Sequence, residues 1–158
     1  MFPSYNSALA GPRAGASGAV FSLPFLRVHL EAAALFGTTH DVLGDISLGT
    51  ATGGVTIALG AFGEGFALEI GPRLEMGAAW GSGQPIDPAT RSASTIAFVS
   101  TGALVGRAAL RLSQGVWGTV ALDVGSVLYG LEARADDRRA AGVDGVTLGL
   151  AVGIAIDL

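Results

Sequence analysis

An all-β fold, an up-and-down antiparallel transmembrane β-barrel, is what three features of this sequence predict. Large apolar residues alternate with small ones at a spacing of two, the composition resists long helices, and the connections between alternating segments are short and long in turn. Half of the 158 residues are hydrophobic and only 14% are charged, against about 25% in average soluble domains. The 25 glycines oppose helix, since each one inside a helix costs roughly 1 kcal/mol relative to alanine. Residues 46–63 are uncharged and long enough for a short spanning helix, but their glycines and β-branched residues favour extended chain.

The segments follow in order. Residues 26–36 put Leu26, Val28, Leu30, Ala32, Ala34 and Phe36 on one row and Arg27, His29 and Glu31 on the other. In residues 45–62 the apolar row is even at Ile46 and Leu48 but odd at Val55, Ile57 and Leu59, which predicts one long strand with a bulge near Gly53 and Gly54. Residues 65–81 carry Phe66, Leu68, Ile70, Pro72, Leu74, Met76, Ala78 and Trp80 at every even position, with Glu69, Arg73 and Glu75 among glycines and alanines at the odd ones. Residues 95–112 and 116–130 repeat the pattern, with Arg107 and Arg111 on the small-residue row of the first and Asp123 on that of the second. Residues 145–158 are the cleanest, with Val146, Leu148, Leu150, Val152, Ile154, Ile156 and Leu158 against Gly, Thr, Ala and Asp.

The intervening stretches read GTTHDVLG, GEG, GSGQPIDPATRSAS, SQG and LEARADDRRAAGVDG, alternately long and short, as in a membrane barrel with short turns at one end and long loops at the other. Phe36, Phe62, Phe66, Trp80, Phe98, Trp117 and Tyr129 fall near strand ends, where an interfacial girdle belongs, although Trp117 and Tyr129 have the parity of the interior. Six strands read clearly, whereas a closed barrel of this kind has about eight. Either residues 1–24 add a strand, with AVFSLPF the best candidate, or residues 25–158 form the C-terminal portion of a longer barrel. The start of the sequence has no basic region followed by an apolar run, so an export signal is expected upstream.

In a narrow interior, space limits side chains, which accounts for the glycine and alanine of the inward row. Charges there need partners, because an unpaired buried ion is very costly. An ion-pair network of Arg27, Glu31, Glu69, Arg73, Glu75, Arg107, Arg111 and Asp123 is therefore expected to plug the lumen. No catalytic, cofactor or metal residues are expected. His29 reads as a hydrogen-bonded interior residue, and only a serine beside it would make an acyl-transfer site. His40, next to Asp41, reads as a solvated loop residue; Asp136 and Asp137 are neutralised by Arg138 and Arg139; and GSGQPIDP, with no following lysine, reads as a turn-rich loop. With no cysteine there is no disulfide or thiolate chemistry, and a net charge of −4 argues against nucleic acid.

The repeated alternation, the loop pattern and the apolar last segment TLGLAVGIAIDL resemble the small outer-membrane β-barrels of Gram-negative bacteria, the OmpA/OmpX-like class in its broad sense, over residues 26–158. The family usually ends on an aromatic residue, and Leu158 departs from that. The resemblance implies an outer-membrane location, contact with outer-membrane lipid and with the barrel assembly machinery during biogenesis, and a structural or surface role without catalysis. The oligomeric state is left open. A small passive pore, a lipid-modifying enzyme and a soluble β-barrel binding an apolar ligand are the other readings of the sequence.

Overall fold

The computed structural model describes residues 8–20, 23–41, 44–85, 94–135 and 138–157. They form one seven-stranded antiparallel sheet and a separate two-stranded hairpin. The large sheet runs in chain order through β1 (Arg13–Val20), β2 (Leu23–Asp41), β3 (Gly44–Phe62), β4 (Phe66–Pro85), β5 (Ser94–Ser113) and β6 (Val116–Tyr129) to β9 (Val146–Ile156). Every neighbouring pair in it is antiparallel. The sheet is not closed: among the described residues β1 and β9 are its two edges.

Several expectations are corrected. The first strand is RAGASGAV, not AVFSLPF, whose last three residues already belong to β2. The N-terminal segment thus joins the same sheet, giving seven strands where six were read. Residues 45–62 are one strand as expected but without a bulge, since the pairing of β3 with β2 is continuous from Leu26↔Leu59 to Asp41↔Gly44. Even positions of β3 face inward throughout; Leu48 is simply an apolar residue on the inner face, only 4% exposed. GTTHD extends β2, and GSGQP extends β4. The stretch after β6 is not a plain loop: it holds the hairpin of β7 (Leu131–Ala135) and β8 (Arg138–Val143). The side chain of His40, the pair Asp136 and Asp137, and residues 86–93 lie outside the described residues.

The bulge that does occur near the long-loop end lies on β6. Ser100 pairs with Tyr129 and Thr101 with Val127, so Leu128 is the extra residue and Tyr129 turns to the outer face, 61% exposed. There it meets Phe98, with ring centroids 5.8 Å apart. On the same face Phe36 and Trp80 make an edge contact at 5.9 Å over Gly49, the residue paired with both. Trp117 sits at the opposite end, its Nε1 donating to Asp157 Oδ2 at 3.0 Å.

One rung is missing from the middle of the sheet. Gly63 N donates to Phe66 O, so even positions of β4 turn their backbone groups to β3. Pro72, an even position, has no N–H to give. The β3–β4 ladder accordingly runs from Thr56↔Arg73 to Leu59↔Ile70 with no pairs recorded for Ile57 and Ala58.

The two faces differ completely. Leu30, Ile57, Leu59, Leu68, Ile70, Leu104, Leu122 and Leu150 are among many large apolar residues exposed on one face. The buried residues of the other include His29, Thr56, Glu69, Arg73 and Glu75. That face is concave, because side chains of strands that are not neighbours meet across it: Arg107 of β5 reaches Glu31 of β2, and Arg13 of β1 reaches Glu75 of β4. At about 4.8 Å per strand, three spacings on a flat sheet would hold those backbones roughly 14 Å apart with their side chains parallel.

Candidate functional site

The inner face is built from rungs that cross the sheet. One reads Ser17, His29, Thr56, Arg73, Ala103, Gly125 and Thr147; the next reads Gly15, Glu31, Gly54, Glu75, Thr101 and Val127. Long charged side chains in these rows are flanked by small ones. Each inward carboxylate of the cluster has a glycine beside it on an adjoining strand: Gly15 for Glu31, Gly60 for Glu69, Gly54 for Glu75 and Gly149 for Asp123. A Cβ on Gly54 would come within 2.6 Å of Glu75 Cγ, and one on Gly149 within 2.5 Å of Asp123 Oδ2. The carboxylates lean over bare backbone, and this lets guanidinium groups approach from across the concavity.

Glu31 is the hub. It pairs with Arg13 Nη1 at 3.0 Å, with Arg107 Nη2, and with Arg73 Nη1 at 3.8 Å. Arg13 Nη1 also bonds Glu75 Oε1 at 2.6 Å, and Arg73 Nη2 lies 3.0 Å from Asp123 Oδ2, with its Nε 3.4 Å from Glu75 Oε1. At the other end of the cluster Glu69 is 3.8 Å from both Arg27 Nε and Arg107 Nη1, and Arg27 stacks over the Phe62 ring at 4.2 Å. Four arginines (Arg13, Arg27, Arg73, Arg107) thus face four carboxylates (Glu31, Glu69, Glu75, Asp123), and the cluster is neutral overall.

His29 is held between opposite charges. Arg107 Nη1 donates to its Nδ1 at 2.5 Å, and a guanidinium has no lone pair to accept with, so the ring proton belongs on Nε2. Nε2 lies 2.9 Å from Glu69 Oε2, near in distance but out of line for a directed hydrogen bond. Thr56, 2% exposed and paired with both His29 and Arg73, has a hydroxyl with no hydrogen-bond partner among the described residues. Ser17 and Thr56 both flank His29 in register, yet its two nitrogens face Arg107 and Glu69.

Seven of the eight residues singled out in the sequence lie in this cluster: Arg27, Glu31, Glu69, Arg73, Glu75, Arg107 and Asp123. Arg111 does not. It is exposed beside the β5–β6 turn, where its Nε bonds Ser113 O at 3.4 Å and its Nη1 bonds Glu64 O at 3.5 Å. Arg13 and His29 complete the cluster and were not part of the expected set. For Arg13 the only sequence signal was a lone arginine on the same parity as Gly15 and Ser17.

Towards the long-loop end the inner face becomes apolar. Ala79 and Val99 are buried, with Ala97, Val127 and Val143 packed around them. Among the described residues no cluster of His, Asp or Glu has the spacing to hold a metal ion. No protein-family model, curated protein or solved structure matches the chain.

Proposed function

We propose that the chain is an integral outer-membrane β-barrel protein, or the major part of one, of the small Gram-negative type it resembles. Its role is structural or at the cell surface, and its interior is plugged by ion pairs. One observation carries this reading. Between the levels of Phe66 and Trp80, no described strand residue on the outward row is charged, while four arginines and four carboxylates gather on the inward face. In water that arrangement is inverted: the exposed apolar face far exceeds the few hundred Å² that soluble monomers tolerate.

Dimensions agree. Phe66 and Trp80 stand fourteen residues apart on β4. At about 3.3 Å per residue and a tilt near 40° this spans roughly 35 Å, which brings both aromatics to the borders of a hydrocarbon layer of about 30 Å. Phe36, Phe98 and Tyr129 lie near the level of Trp80 on the same face. The ion cluster favours a plug over an open channel, because its arginines reach across from β1 to β4 and from β5 to β2.

The test is reconstitution. The purified chain should float with phosphatidylcholine vesicles, resist alkaline extraction and leave the vesicles electrically tight, while an Arg73→Ala variant should raise ion flux by opening the cluster. A wild-type chain that stays monodisperse in buffer without detergent would overturn the membrane reading; large conductance by the wild type would overturn the plug.

A further inference from the structure

The two edge strands can be read residue by residue for what they still lack. On β9, Gly145 O accepts from Val127 N and Asp157 N donates to Gly115 O, each at 2.9 Å, so odd positions turn their backbone groups to β6. Val146, Leu148, Leu150, Val152, Ile154 and Ile156 therefore aim N–H and C=O away from the sheet. On β1, Ala10 exchanges two bonds with Phe36 and Pro12 O accepts from Ala34 N, so even positions serve β2. Arg13, Gly15, Ser17 and Ala19 then aim their backbone groups outward. Within hydrocarbon, such groups must be paired by protein.

Seven strands, each antiparallel to the last, leave β1 and β9 running in the same direction. Joining them directly would make a parallel pair. A second copy added by two-fold symmetry would give fourteen strands, but the interior is filled by side chains only at about eight, and a wider circle would pull Arg107 from Glu31 and Arg13 from Glu75. One strand between the edges meets both requirements.

We propose that the gap between β1 and β9 takes one further extended strand of polypeptide, which the described residues do not supply, antiparallel to both edges, with an uncharged inward row and an apolar outward row. This rests on the membrane reading. The inward row is uncharged because the cluster already balances four arginines against four carboxylates, so another inward charge would have no partner. The outward row is apolar because it continues the face formed by Ala14 and Ala16 on one side and Leu148 and Leu150 on the other.

The experiment uses the whole chain in phosphatidylcholine vesicles and, as probe, a fluorescent peptide of about twelve residues alternating leucine and serine. Saturable one-to-one binding is expected. It should weaken at least tenfold when the serines are replaced by glutamates, and at least tenfold for the chain variant Leu150→Pro, which removes one edge N–H and leaves the ladder to β6 intact. A cysteine at Ser17 should form no disulfide with one at Thr147, Gly149, Ala151 or Gly153, because two strand spacings, about 10 Å, exceed a disulfide's reach of about 7 Å. Absence of peptide binding by vesicle-bound chain, undiminished binding by Leu150→Pro, a disulfide between β1 and β9, or assemblies of two chains would each overturn the proposal. A chain that ignores vesicles yet binds the peptide in plain buffer would sink the membrane reading and leave the strand acceptor standing; a chain that does neither would sink both.

Discussion

The inner face fills its narrow space in two different ways. Around Ala79 and Val99 it uses small and branched apolar side chains, which make no polar demand on one another. Around Arg73 it uses eight ionised groups and a histidine, set among glycines. The apolar end tolerates a modest change of shape, since volume is all that must be conserved. The charged middle is different: each group is held by the others, and removing one leaves its partners buried and unmatched. The same small-residue alphabet therefore supports one region that fails gradually and another that fails at once.

Breaking the middle should have the largest effect. Arg73→Leu strands Asp123, leaves Glu75 to Arg13 alone, and is expected to cost about 3–5 kcal/mol, the typical result of removing one partner of a buried ion pair. Urea unfolding of vesicle-bound protein, followed by tryptophan fluorescence, measures it. The opposite face gives the next effect: Leu74→Arg places a charge midway along the apolar band and should cost roughly 2–4 kcal/mol in a bilayer. In a protein that lived in water the same change would be nearly neutral, so this variant also tests the location.

Smaller changes sharpen the comparison. Gly54→Val pushes against Glu75 and should cost about 1–3 kcal/mol, whereas Ala97→Val at the apolar end should cost less, and a parallel pair of urea titrations decides. The smallest effect is expected for Thr56→Val. It removes a buried hydroxyl that has no partner among the described residues, keeps the shape, and should stabilise by up to about 1 kcal/mol in thermal unfolding.

Much of this arrangement was legible in the sequence, and the failures have physical causes. Alternation located six strands because bulky and small residues kept to opposite rows. It missed β1, where the outward row begins with Ala14, Ala16 and Gly18 and offers little contrast. The change of phase at Ile46 and Leu48 suggested a bulge, but those residues face the apolar end of the interior, where large side chains are welcome. Tyr129 suits the girdle by its place near a strand end but has inward parity, and the conflict could not be resolved from the sequence because the extra residue at Leu128 leaves no trace in composition. For the cluster, parity brought seven residues to one face, while the carboxylate–glycine partnerships needed the register, which no single strand contains. Arg111 has inward parity but stands four residues beyond Arg107, beside the β5–β6 turn, where backbone carbonyls of Glu64 and Ser113 take its donors.

Pro72 bears on how the molecule comes apart. With one donor absent beside Ile57, the junction of β3 and β4 is the natural place for strain to concentrate, at the height of the ionic cluster but with the proline ring on the opposite, apolar face. Amide deuteration should advance from that point along both strands earlier than elsewhere in the interior of the sheet. A substitution of Pro72 by alanine, restoring the donor, should erase this head start and slow spontaneous unfolding.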